Sequence, residues 1–156
     1  MRIRKLLPDD KMRLLKLMEE FWIGFTRGVV LKGELRDIEA LKDHNSLMAA
    51  EFDKYLEWHS YVAEIDTQVV GFVVAHIEMK LHKVLDRQGY IEELFVSADY
   101  RNRGIGKSLM NHIIAVLKEE KCQVVGIDAY SANKNALEFY RNLGFMDKCI
   151  VLTYKI

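Results

Sequence analysis

The segment Arg101 to Ser108 reads RNRGIGKS, and the apolar helical pattern LMNHII follows it directly. The chemistry such a stretch suits is anion binding. The first turn of a helix leaves backbone N–H groups unpaired, and the helix dipole adds partial positive charge there. Gly104 and Gly106 let the backbone come close to a ligand and accept positive φ. Arg101, Arg103 and Lys107 add full charges around that nest, which makes an anion cradle suited to phosphate. A capped surface helix with solvated basic residues accounts for the same letters.

Two phosphate motifs fail on spacing. A P-loop needs a glycine five residues before the Gly of GKS, where Arg101 stands. A dinucleotide fingerprint needs a third glycine three residues after Gly106, where Leu109 stands.

The elements that must hold this turn follow from pattern and length. A chain of 156 residues, half of them hydrophobic, predicts one domain over 1–156 with a real core. Asp9 or Asp10 predicts the cap of an amphipathic helix through Met12, Leu15, Met18, Trp22 and Phe25. Gly28 and Gly33 bracket a break, and the next stretch, to about His59, again reads as helix, interrupted at Asn45-Ser46. From Ser60 the character turns to β. YVAEI and VVGFVVAHIEM are joined by Asp66-Thr67-Gln68, a hairpin signal. The charged connector Leu81 to Gln88 reads as a solvated hairpin loop and leads to the strand YIEELFV. A helix to about Glu120, the strand CQVVGIDAY, a helix closed by Gly144 and a last strand, CIVLTYKI, complete the order. A strand-helix-strand unit implies a parallel pair and the hairpins imply antiparallel ones. The expected class is therefore α/β with a mixed sheet.

With 23 basic and 23 acidic residues the net charge is zero, so nothing global draws the chain to nucleic acid or an anionic membrane. The apolar run Val69 to Ala75 is far too short to span a bilayer. The N-terminus meets an acid pair too early for a secretory leader, and two cysteines, Cys122 and Cys149, make no disulfide framework. These readings predict a soluble, cytoplasmic protein. The five histidines are scattered without metal-ligand spacing, so no metal site is expected. His112 is expected on the solvent side of its helix. Trp22 and Trp58 suit packing on the sheet or lining an acceptor cleft.

Arg101-x-x-Gly104-x-Gly106, the later Asn133-x-x-Ala136-x-x-x-Tyr140-x-x-x-Gly144-Phe145, and the strand YIEELFVSADYR ahead of both occur in this order. In these motifs the chain resembles the GNAT superfamily of acetyl-CoA-dependent N-acetyltransferases, closely from about Ser60 onward and in general outline before it. The resemblance implies N-terminal helices, antiparallel strands, then β-α-β-α-β with a splayed parallel pair. It implies that Leu94, Phe95 and Val96 offer main-chain partners to the pantetheine arm, one N–H polarising the thioester carbonyl. It implies that Arg101, Asn102, Arg103, Gly104, Ile105, Gly106, Lys107 and Ser108 hold the pyrophosphate, with backbone mattering more than side chains. Asn133 corresponds to an asparagine near the pantetheine, as a ligand or a helix cap.

The implied reaction is direct attack of a primary amine on the thioester in a ternary complex. An amine of pKa about 10.4 needs roughly 4–5 kcal/mol to lose its proton at pH 7. Glu92 occupies a position where some family members carry the base. Strand alternation puts adjacent Glu92 and Glu93 on opposite faces, so only one of them is expected to face the acceptor. Tyr140 aligns with the tyrosine that protonates the leaving thiolate in many relatives; packing of the short helix also accounts for it. Relatives commonly dimerise through the sheet or C-terminal strand, so a homodimer is left open. The acceptor's identity stays open too: Glu34, Asp37 and Glu39 suit a cationic amine or a solvated helix face. A second class, a non-catalytic acyl-CoA sensor or interaction module of the same fold, has no use for an acid and a base.

Overall fold

The computed structural model describes residues 1–28 and 44–152. Strand β1 (Arg2–Lys5) leads through a 3₁₀ turn at Pro8–Asp10 into α1 (Lys11–Gly28). Helix α2 (His44–Glu57) precedes β2 (His59–Ile65), β3 (Gln68–Met79) and β4 (Arg87–Val96). A second 3₁₀ turn, Ala98–Tyr100, precedes α3 (Ile105–Glu119), β5 (Val124–Ile127) and α4 (Lys134–Asn142). The five strands form one sheet in chain order, antiparallel throughout except for the parallel β4–β5 pair. The mixed α/β class expected from the sequence is the one observed.

The β2–β3 turn has both Asp66 and Thr67 in the left-handed region, at φ 47° and 68°. That geometry matches the twist of the strands it joins. β3 reads as a nearly unbroken apolar run because both its faces are covered. Phe72 and Val74 pack beneath α1 and α2, whereas Val70, Val73 and Ala75 pack beneath α3. On α3, Ile105, Leu109, Met110, Ile113 and Leu117 recur at helical spacing and are all buried. Each such burial contributes about 1.5–3 kcal/mol, enough for this stripe to clamp the crossover onto the sheet. Gly89 on β4 permits the close approach: a Cβ there would lie 2.7 Å from a Leu117 methyl.

Several elements depart from the sequence reading. β1 was not foreseen, since four residues with one isoleucine among three basic side chains carry little strand signal. The Arg4 guanidinium fixes it, bonding Asp10 at 2.6 and 2.8 Å and Glu64 of β2 at 2.7 and 3.0 Å. Asp10 accordingly accepts from Arg4 and from the Leu7 N–H (3.0 Å) rather than capping α1. α2 begins at His44, so Asn45-Ser46 lie in its first turn, and the stretch expected as helix before them lies outside the described residues. β5 is only Val124–Ile127, shorter than CQVVGIDAY. The expected final strand is not formed over Cys149–Leu152, where Ile150, Val151 and Leu152 are exposed, and its remainder lies outside the described residues. Strand propensity without a neighbouring strand to pair with does not make a strand. His112 does not face solvent: its ring stands edge-on to Tyr61 of β2, centroids 4.4 Å apart.

Candidate active site

Pairing between β4 and β5 stops at Ile91 opposite Ile127, yet β4 continues through Glu92–Val96. Past that point the edge of β4 away from β3 has no strand partner among the described residues. Its other edge stays bound to β3, from Gly71 opposite Val96 to Val74 opposite Glu93. Leu94 and Val96 pack toward α3, and Phe95 is buried against Phe21 and Phe72, centroids 5.5 and 6.1 Å away. What Leu94, Phe95 and Val96 present to the opening is therefore backbone. The Val96 carbonyl already accepts from Arg101 Nε at 3.0 Å.

Beyond this opening lies the glycine turn. Asn102 and Gly104 take left-handed φ of 59° and 75°, folding the chain into a concave nest ahead of α3. The Ser108 amide bonds Gly104 O at 3.0 Å. The amides of Ile105, Gly106 and Lys107 thus precede the helical ladder and point out of its start. Ile105 has its side chain buried, so only its amide is on offer. The Ser108 hydroxyl donates to Gly104 O at 3.1 Å and is engaged within the helix. Arg101 lies over the Phe95 ring at 5.5 Å, and Arg103 lies over Tyr100 at 5.2 Å while donating to Asp99 O at 2.9 Å. Asn102 and Lys107 are exposed. Nothing lies within 4 Å of a Cβ built on Gly104. An open nest of amides ringed by three cations fits a diphosphate.

α4 flanks this nest. Asn133 caps it, its Oδ1 accepting the Ala136 amide at 3.1 Å. The Phe139 ring comes within 3.5 Å of a Cβ built on Gly106, which places α4 beside the start of α3. Tyr140 packs against Phe139 and Phe145, centroids 5.3 and 6.0 Å away, and burial pushes its hydroxyl up to about 12. A phenol held neutral in this way keeps a proton to give.

The two acids are not on opposite faces. Val74 pairs with Glu93 and the next residue, Ala75, pairs with Ile91, so Glu92 is the extra residue of a β-bulge. A bulge breaks the two-residue alternation. Ile91 and Leu94 consequently pack toward α3. Glu92 stands 3.3 Å from His76, on the face of α1 and α2, while Glu93 reaches Tyr55 and Trp22 on that same face. Glu92 is at the mouth with its side chain 37% exposed, whereas the Oε2 of Glu93 is buried without a partner. Burial pushes Glu93 up to about 7, against hydrogen bonds from Tyr55 and Trp22.

Tyr55, Tyr90 and His76 join the site without having been singled out. Burial first, and then the Asp128 carboxylate just past β5, raise the Tyr90 hydroxyl well above the ordinary value. His76 packs against Trp58 and Tyr90, centroids 4.7 and 5.6 Å away. Only the continuation of the Phe72, Val74, His76 alternation along β3 could have pointed to that histidine. Glu34, Asp37 and Glu39 lie outside the described residues.

Residues 16–145 match the family model described as "Acetyltransferase (GNAT) family". N-alpha-acetyltransferase 30 of Xenopus laevis is 37% identical over 86 residues, which is 55% of this chain and 31% of that protein. The human protein of the same name is matched over 23% of its length. The chain thus spans less than a third of these curated relatives. Thialysine N-epsilon-acetyltransferase of Bos taurus is 28% identical over 73% of this chain and 74% of that protein. Among solved structures, the tetramutant of BH1408 protein from Bacillus halodurans superposes with a TM-score of 0.81 at 20% identity, over 100% of both chains. AAC(6')-Iy with a bisubstrate analog superposes with a TM-score of 0.74, over 99% of this chain and 97% of that one, also at 20% identity.

Proposed function

The chain belongs to the acetyltransferase (GNAT) family, and we propose that it is an N-acetyltransferase moving an acetyl group from acetyl-CoA to a primary amine. The observation that carries this reading is the opening of the sheet after Ile91, which lies between the amide nest of Arg101–Lys107 and the bulge bearing Glu92 and Glu93.

In this reading the amides from Asn102 to Lys107 hold the diphosphate of coenzyme A, with Arg101, Arg103 and Lys107 neutralising its charge. Helix-start amides bind an anion by direction as well as charge. The pantetheine lies along the free edge of Leu94 to Val96, and a main-chain N–H there stabilises the oxyanion of the tetrahedral intermediate. Coenzyme A itself supplies the activated acyl group, as a thioester.

Glu92 stands at the mouth and takes the proton of the acceptor ammonium. The amine nitrogen then forms a bond to the acetyl carbonyl, the C–S bond breaks with its electron pair going to sulfur, Tyr140 protonates the thiolate, and the second proton shed by the new amide nitrogen restores the Tyr140 hydroxyl. Glu93 is more deeply buried and ties α1 and α2 to the bulge through Trp22 and Tyr55. The acceptor enters on the side of α1 and α2. Relatives named as N-alpha-acetyltransferases and as a thialysine N-epsilon-acetyltransferase support an amine acceptor without choosing between α- and ε-amines. The proposed compartment is the cytoplasm, consistent with the unpaired thiols of Cys122 and Cys149.

The test is thiol release from acetyl-CoA by purified protein with a panel of amines: peptides with free N-termini, thialysine and aminoglycosides. Amine-dependent release with a matching acetylated product is expected. Coenzyme A binding with no release under any acceptor favours the non-catalytic module instead.

A further inference from the structure

Four side chains stand in file on the α1/α2 face, from the opening of the sheet outward to solvent. Glu92 Oε1 is 3.3 Å from His76 Nδ1, and His76 Nε2 is 3.2 Å from Glu78 Oε1. Glu78 Oε2 in turn pairs with Lys80. The file exists because Phe72, Val74, His76 and Glu78 share one face of β3, and because the bulge turns Glu92 to meet it. Trp58 and Tyr90 fix the plane of the imidazole, and its Nδ1 is buried with no aligned hydrogen bond although the Glu92 oxygen is within reach. The charged and titratable groups facing the ring are Glu92 and Tyr90 from β4, and Glu78 and Lys80 from its own strand and the residue after it. Trp58, which follows α2, contributes no charge.

The proposed reaction has a proton to dispose of. An ammonium carries three hydrogens on nitrogen and the amide product carries one. Of the two released, one ends on the coenzyme sulfur and one must reach bulk water. An amine seated against Glu92 covers the open side of that carboxylate. His76, whose side chain is only 19% exposed, is then the neighbour through which the proton can leave.

We propose that His76 is a relay residue that carries the proton from Glu92 to Glu78 and so to solvent. This inference rests on the transferase reading above. The imidazole suits the task because one ring nitrogen accepts while the other donates. Glu92 gives its proton to Nδ1, Nε2–H passes its own to Glu78, and Glu78 releases it to water. Lys80, and after it His76, hold the Glu78 carboxyl below the usual carboxylate range, so the proton does not stay there. No oxidant, reductant or metal is needed; the ring is left protonated on Nδ1, and a half-turn about Cβ–Cγ in the plane held between Trp58 and Tyr90 brings an unprotonated nitrogen back toward Glu92 before the next turnover. His76 acts through Glu92 and touches neither substrate.

The experiment uses the full chain with an amine that turns over. His76→Phe keeps a flat ring between Trp58 and Tyr90, and Glu78→Gln changes only the outer end of the file. The relay predicts a fall in kcat of about tenfold or more for His76→Phe. The acetyl-CoA KM should stay within twofold. The rate should also become proportional to added imidazole, to which the native chain is indifferent. Glu78→Gln should show a smaller fall with the same rescue. A native rate and pH profile in both variants overturns the relay. So does a loss in either that imidazole does not restore, since a structural role alone would account for it. No thiol release from the native chain with any amine overturns the transferase reading, and the relay with it.

Discussion

The Glu20 carboxylate accepts the Ala98 amide at 2.8 Å, tying α1 to the turn that leads into the Arg101–Lys107 nest. Its neighbours on α1 reach β4, which precedes that turn, Phe21 packing on Phe95 and Trp22 meeting Glu93. Three successive residues of one helix therefore fix α1 against the end of β4 and the turn that follows it. A charge-assisted hydrogen bond of this kind contributes about 1.5 kcal/mol, a little more than a factor of ten in an equilibrium constant, and less where water competes. Glu20→Ala should weaken coenzyme A binding about three- to tenfold by calorimetric titration. Glu20→Gln, which keeps a carbonyl acceptor, should stay within about twofold. Equal affinities in all three proteins would show that this contact does not position the nest.

Gly104 gives a test of backbone rather than charge. Its φ is 75° and nothing would meet an added Cβ, so substitution there changes conformation without a clash. A left-handed L-residue costs roughly 1–2 kcal/mol. Gly104→Ala should lower the urea midpoint accordingly and weaken coenzyme A about tenfold if the strain is relieved by tilting the amides. Gly104→Asn should recover much of both losses, because asparagine tolerates this region. A Gly104→Ala protein binding like the native one would mean that the nest geometry is not what holds the diphosphate.

Much of this was legible in the sequence, for identifiable reasons. The nest was readable because glycine spacing and basic residues express local backbone chemistry. The β2–β3 hairpin and the α3 stripe were readable because their periods are local too. Glu92 and Glu93 were misread because alternation assumes an unbroken ladder, and the bulge depends on how β3 and β4 meet across the sheet. β1 escaped because its stability lies in Arg4 bridging Asp10 and Glu64, two partners far apart in sequence. Over Cys149–Leu152 propensity pointed to a strand, but no pairing forms there. What failed was in each case a non-local contact.

Tyr140 is held neutral by burial, its hydroxyl pushed up to about 12. The sign is direct: a raised phenol keeps its proton at lower pH and loses it only as pH rises through about 12. Its ability to donate is therefore constant across the working range. Tyr140→Phe should lower kcat by about a hundredfold with coenzyme A affinity nearly unchanged. The deficit should be the same from about pH 6.5 to 9.5, measured by thiol release. A deficit that disappears within that range would assign the titration, and the acid, to another group.

Glu93 links the site to stability. Its carboxyl is moved from 4.5 to about 7, chiefly by burial, so the folded chain holds a proton that the unfolded chain gives up. The stabilisation from that proton is fully present below about pH 4.5 and is lost as pH rises through about 7. Its size is on the order of 2–3 kcal/mol. The Asp10 carboxyl is lowered by Arg4, so its stabilisation is lost only as pH falls below the ordinary carboxylate range, outside this window. Urea titrations of the native chain should give a midpoint that falls from pH 5 to pH 8. Glu93→Gln, which imitates the neutral acid between Tyr55 and Trp22, should flatten that fall and be the more stable protein at pH 8. An undiminished slope in Glu93→Gln would show that the carboxyl ionises freely in the folded chain, and that the bulge does not hold it in the dry setting described above.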